Sequence, residues 1–121
     1  MGIFRQRVTV ANPGTRLATQ VECTVGTGST YLWLPEDLLR SLGVQPLLGR
    51  RLKLATGQVI ERPAAEVLVT LNGETLTVIS VFGESGSDPL LGSLALEAFS
   101  LAVDPVNKRL VPTISYLASA L

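Results

Sequence analysis

Histidine is absent from this 121-residue chain, and cysteine, methionine and tryptophan occur once each. Without histidine no imidazole can serve as a general base near neutral pH, and a zinc site would need to be assembled from one thiolate and scattered carboxylates. No metal and no cofactor are expected. The lone Cys23 cannot close an internal disulfide, and nothing beside it in sequence would lower its pKa, so it reads as an inert buried thiol. An excess of charge is missing too, because ten basic and ten acidic residues cancel. There is no net field to draw in phosphate backbones or acidic membranes, and Arg5/Arg7 and Arg50/Arg51 are too short to form a basic tract. Nucleic acid and membrane are therefore not expected partners. No apolar run approaches the roughly 18 residues of a membrane span, and the opening MGIFRQRVTV alternates like a strand where a signal peptide would be continuously apolar. The initial Met-Gly is an incomplete lipidation signal, with Gln6 where Ser or Thr is wanted. A cytoplasmic location is expected.

What the chain does have is apolar content, 46% of residues against 17% charged. The length suits one domain, 1–121, and the apolar excess suggests that some surface meets a partner subunit. Short β-branched runs recur about every 8 to 12 residues between Gly, Pro and Asn punctuation. FRQRVTVAN and LATQVECTV form a hairpin around Asn12-Pro13-Gly14, and YLWL extends again. PEDLLRSLG reads as a short helix, with Pro35 at the first helical position, Glu36 and Asp37 in the first turn and Gly43 past the end. Residues 50 to 82 form a three-strand meander with turns at Thr56-Gly57-Gln58 and Asn72-Gly73, the second being the stronger hairpin signal. Pro63 implies an edge or a bulge in the middle strand. Leu90-Leu91 then ends at Gly92, a helical turn or two spans 93 to 99, and strands SLAVD and RLVPT flank a turn at Pro105-Val106-Asn107. No internal repeat is present.

One stretch carries more than fold. In TVGTGSTYLWLP, residues 24 to 35, an apolar strand breaks into Gly26-Thr27-Gly28-Ser29, and a Leu-Pro with a short helix follows. Together with LATGQVIERPAAEVLV, DPLLGSLALEAFSLAVDPVNKRLVP and the opening GIFRQRVTVANP, this order of parts resembles a retropepsin-like aspartic protease domain of the bacterial or archaeal kind, over nearly the whole chain. The resemblance implies an all-β acid-protease lobe, a closed β-barrel of short strands with two short helices. It implies a homodimer in which two motif loops meet on a twofold axis, and endopeptidase action on an extended peptide or protein substrate beneath a flap.

The family motif is Asp-Thr-Gly-Ser/Ala, and here Gly26 holds the aspartate's position. In such enzymes two carboxylates about 3 Å apart share a proton, one activating water while the other protonates the substrate carbonyl. Glu22 lies four residues back in the same strand, roughly 13 Å away at about 3.3 Å per residue, and Asp37 starts the next helix. Neither reaches the loop, so the chain is expected to be inactive. Two origins fit the glycine, an engineered Asp-to-Gly change or a natural pseudo-protease; Leu32, where the family commonly has Thr, favours the second. The alternative from another class is a non-enzymatic β-barrel module that binds peptide or protein. Ser29 or Thr27 as nucleophile is disfavoured, since no base stands near them in sequence.

The resemblance also distributes roles. Thr27 would brace the two loops across the axis, against the plainer role of capping its own turn. Gly28 would allow close substrate approach or adopt positive φ. Ser29, with Thr56, Gly57 and Gln58 on the flap tip, would contact substrate, although an ordinary hairpin explains Gly57 as well. Leu90, Leu91 and Gly92 would support the motif loop from below as core. Trp33 is expected in the core, and Arg50, Arg51, Lys53 and Arg62 on a solvated face.

Overall fold

The computed structural model describes residues 4–115. Nine strands and two six-residue helices follow one another: β1 (Arg5–Ala11), β2 (Ala18–Val25), β3 (Leu32–Pro35), α1 (Glu36–Ser41), β4 (Leu48–Lys53), β5 (Val59–Leu71), β6 (Glu74–Gly83), β7 (Leu90–Leu91), α2 (Ser93–Ala98), β8 (Leu101–Asp104) and β9 (Arg109–Pro112). Every strand expected from alternation and turn residues is present. Seven of them form one sheet in the order β1-β2-β7-β3-β6-β5-β4, and a further pairing of β1 with β5 returns the hydrogen-bonded circuit to its start. β8 and β9 make a separate hairpin.

The core follows from period-two alternation. Val8 and Val10 of β1, and Val21, Cys23 and Val25 of β2, turn inward while their neighbours stay in contact with water. Val67, Val69 and Leu71 do the same on β5, and Phe82, Leu32, Leu34, Leu39 and Leu91 fill the centre. Each fully buried Val, Leu or Phe side chain contributes about 1.5–3 kcal/mol relative to exposure. Leu96 of α2 and Phe99, its C-cap, are buried in the same core.

The turns show their chemistry directly. Asn72 (φ 52°) and Gly73 (φ 78°) are both left-handed, as a type I′ hairpin requires, and they set the β5–β6 register Leu71↔Glu74. Pro63 pairs only towards β4, opposite Gly49, because the β5–β6 ladder begins one residue later at Ala64↔Val81. The missing N–H therefore costs no bond on the β6 side. Pro35 is the N-cap, with φ −56° and ψ 140°, one residue earlier than the first helical position expected for it. Its extended ψ lets it finish β3, opposite Gly83, before the helix starts. Gly43 at φ 75° then ends α1. In the β8–β9 turn the Asp104 carboxylate accepts hydrogen bonds from Val106 N, Asn107 N and Asn107 Nδ2, and these hold it below its ordinary pKa, the Asn107 side chain most of all. Among the described residues no helix is long and apolar enough to cross a membrane, and no cluster of three His, Cys, Asp or Glu could hold a metal ion.

Candidate functional site

β7 is only two residues long, yet it organises the site. It lies between β2 and β3, parallel to the first and antiparallel to the second, directly under the loop that joins them. At the end of β2, Gly26 N donates to Leu91 O (3.2 Å), and Ser29 N donates back to Gly26 O (3.3 Å), leaving Thr27 and Gly28 at the tip of a tight turn. Ser93 N donates to Ser29 O (2.8 Å) and Leu94 N to Thr30 O (3.0 Å), so the loop rests on the start of α2. The approach is close enough to demand glycine at one position: a Cβ on Gly92 would stand 2.5 Å from Tyr31 O and 2.6 Å from Ser29 O.

Gly26 is different. It is half-buried, its φ is not left-handed, and a Cβ there would meet nothing within 4 Å. No local backbone or packing constraint requires glycine, and a carboxylate side chain has room. Thr27 and Gly28 are exposed. Among the described residues the Thr27 hydroxyl makes no hydrogen bond, so it does not cap its own turn; the Ser29–Gly26 backbone bond closes it instead. Gly28 is not at positive φ and also has open space where a Cβ would stand, so nothing within the chain requires glycine there either.

Beside the loop runs a cleft of about 570 Å³. Gly28, Ser29, Tyr31 and Trp33 form one wall and residues 51–54, the outgoing end of β4, form the other, with Val81 and Leu90 at the base. Thr56, Gly57 and Gln58 do not line it. They form the tip of the β4–β5 hairpin, closed by Leu54 N to Gln58 O (2.8 Å) and Gly57 N to Leu54 O (2.9 Å), with Gly57 at φ 91°. No aspartate or glutamate lines the cleft. Glu22 is turned to Arg7 (3.1 Å), and Asp37 is exposed on α1.

Three expectations need correction. Trp33 is half-buried and lines the cleft, since Leu32 and Leu34 on either side take the core face and alternation sends the indole outward. It lies against Gly83, where a Cβ would collide with the indole, and its Nε1–H donates to Ser87 Oγ (3.0 Å). Leu90 likewise faces the cleft, while Leu91 alone of the pair is fully buried. Arg50 and Arg62 are not on a solvated face: the Arg50 guanidinium sits 6.0 Å from the centroid of the Tyr31 ring and Arg62 sits 5.9 Å from that of Trp33.

A second group was not legible in sequence. Thr24 Oγ1 donates to Asp88 Oδ2 (2.5 Å), Arg5 donates to Asp88 Oδ1 (3.0 Å), and the other Arg5 Nη donates to Glu22 O (2.8 Å). These bonds strap the approach to β7 onto β2. The Thr24 hydrogen bond foremost, aided by Arg5, lowers the Asp88 pKa below its ordinary 3.8. Cys23, one residue before, is wholly buried, and loss of hydration pushes its thiol up to about 12.

No family model and no curated protein sequence matches the chain. Solved structures do. A retropepsin-like aspartic protease from Rickettsia conorii superposes with a TM-score of 0.55 at 15% identity, over 84% of this chain and 87% of that one. The simian foamy virus (mac) protease gives a TM-score of 0.52 at 15% identity, over 78% of this chain and 94% of that one. With its glycine turn seated on a two-residue strand threaded between β2 and β3, the chain has the fold of a retropepsin-like aspartic protease.

Proposed function

We propose that the chain, as a single domain over 1–121, is one half of a twofold acid-protease assembly that binds an extended peptide and, with glycine at 26, does not cleave it. One observation carries this reading: the turn at Gly26 has the seating and the space for an acidic side chain, and none is present. The tip, Thr27-Gly28, is exposed, and a twofold contact between two copies would set it against itself. β4 is the edge strand of the sheet, and residues 51–54 border the cleft, so an incoming strand finds unpaired backbone groups there.

With Asp at 26 in both copies the chemistry would be complete. One carboxylate would take a proton from water as the oxygen attacks the peptide carbonyl carbon, while the other would give its proton to the carbonyl oxygen; the first would then pass its proton to the nitrogen as the C–N bond breaks and the second would take back a hydroxyl proton, releasing amine and acid. With glycine, neither proton transfer has a partner. Each such group is worth about a hundred- to ten-thousand-fold in rate, so loss of both leaves binding without turnover.

The test is Gly26→Asp assayed on a library of extended peptides from acidic to neutral pH, beside the unaltered chain. Cleavage by the variant alone is expected. Cleavage by the unaltered chain would refute the proposed silence, and inactivity of a folded Gly26→Asp protein across the library would favour the non-enzymatic binding module.

A further inference from the structure

The indole of Trp33 is clamped beside the cleft it lines. In the β3–β6 register Trp33 stands opposite Val81 and Pro35 opposite Gly83, which makes Gly83 the diagonal neighbour of Trp33 on the same face of the sheet. The indole lies across that glycine, and a Cβ there would meet Nε1, Cε2 and Cδ1 of the ring before anything else. Arg62 approaches the ring from the hairpin, 5.9 Å from its centroid, and is itself fixed by Nε donating to Phe82 O (2.8 Å). At the ring edge Nε1–H donates to Ser87 Oγ (3.0 Å), while the Ser87 hydroxyl gives its own proton to Glu84 O (2.6 Å) and so presents a lone pair to the indole.

Nothing in the backbone asks for glycine at 83, since its φ is not left-handed and the atoms nearest a Cβ all belong to Trp33. The missing side chain makes a notch, and the indole fills it. Trp33 pairs laterally with Val81 on β6 and with Leu90 on β7, and both line the cleft beside it. With Gly83, Arg62 and Ser87 holding the ring from the other directions, an indole that leaves the notch has the cleft to move into. Seated, it forms one wall of an open space. Displaced, it occupies that space.

We propose that the seating of Trp33 over Gly83 decides whether the cleft can take a peptide side chain, and that the indole sets the size of the side chain admitted beside Val81 and Leu90. This rests on the peptide-binding reading above and names the residue pair that controls the same site. A tryptophan that merely braced the hairpin through Arg62 would make loss of the indole and loss of its seat alike in effect. As a seated wall it makes them opposite: Gly83→Ala drives the ring into the cleft and narrows it, whereas Trp33→Val removes the ring and widens it.

Fluorescence anisotropy with labelled extended peptides, alike except for Leu or Phe at the centre, tests this on the unaltered protein, Gly83→Ala, Trp33→Val and the double variant. The unaltered protein is expected to bind the Leu peptide, and Gly83→Ala to bind it about tenfold more weakly, as overpacking of a fixed site does. Trp33→Val should favour the Phe peptide over the Leu peptide more than the unaltered protein does. Adding Gly83→Ala to Trp33→Val should change its affinities by no more than about twofold, because a methyl with no indole to strike is close to a neutral surface change. Ser87→Ala adds no bulk and keeps the test open if Gly83→Ala unfolds; it should weaken binding of the Leu peptide about two- to tenfold through the lost indole hydrogen bond. Equal weakening by Gly83→Ala with and without Trp33 overturns the inference, since the methyl then acts through the backbone. Unchanged binding by both Gly83→Ala and Ser87→Ala overturns it too, as does a Trp33→Val protein that loses both peptides alike. Absence of binding by the unaltered protein and by Trp33→Val together removes the peptide-binding reading, and this inference with it.

Discussion

Two glycines sixty-six residues apart show how differently one residue type can be used. Gly92 is dictated by its surroundings, because the carbonyls of Ser29 and Tyr31 occupy the space a side chain would need. Gly92→Ala is expected to cost about 3 kcal/mol, the upper end for forcing atoms into a packed site, and to lower Tm by roughly 10 °C; a thermal melt checks it. Gly26 is not dictated by anything around it, so Gly26→Asp should melt within about 1 kcal/mol of the unaltered chain as a surface substitution with room to spare does. Cys23 belongs at the same scale. Its thiol is out of reach of water and held near 12, so alkylating reagent at neutral pH should label the denatured chain and spare the folded one, as mass spectrometry would read directly.

At the scale of elements, the strap from Arg5 and Thr24 to Asp88 sets where β7 enters the sheet. The folded Asp88 pKa is depressed, so its contribution is fully present above the unfolded carboxyl value and is lost as pH falls through the lower, folded one. Thr24→Val removes the largest cause of that depression. The difference in Tm between the two proteins should be widest at neutral pH and close below the ordinary carboxyl value of 3.8, whereas a constant difference would mean that Thr24 acts only through packing. The hairpin of β4 and β5 makes the opposite wall, and the chain's one tryptophan faces it. Peptide entering the cleft should therefore shift Trp33 emission, and Gly83→Ala, which pushes a methyl into the indole, should alter that emission before any peptide is added.

Much of this was open to inspection in the sequence, for local reasons. Asn72-Gly73 announces a turn because few residue pairs tolerate two left-handed positions, and the alternation of Val21, Cys23 and Val25 declares the buried face of β2. The Leu32-Trp33-Leu34 alternation held the position of Trp33 as well, but a preference for burying a lone indole concealed it. What could not be read was pairing between distant segments. Nothing in Thr24 points to Asp88, sixty-four residues on, or in Tyr31 to Arg50, since periodicity reports which face a residue occupies and not what stands opposite.

For the molecule as a whole, the proposed function requires two copies to bring their Gly26-Thr27-Gly28 turns together. One chain supplies one loop and one hairpin, and the fold is that of retropepsin-like proteases. Thr27 is exposed and makes no hydrogen bond among the described residues, while the buried Cys23 leaves a cysteine introduced at 27 as the reactive thiol. The decisive measurement is a spin-labelled Thr27→Cys protein examined by electron paramagnetic resonance at increasing concentration. A dimer with strong dipolar broadening, abolished by dilution with unlabelled chain, is the expected result. A protein that stays monomeric, or a dimer whose labels show no mutual broadening, would contradict the shared twofold site.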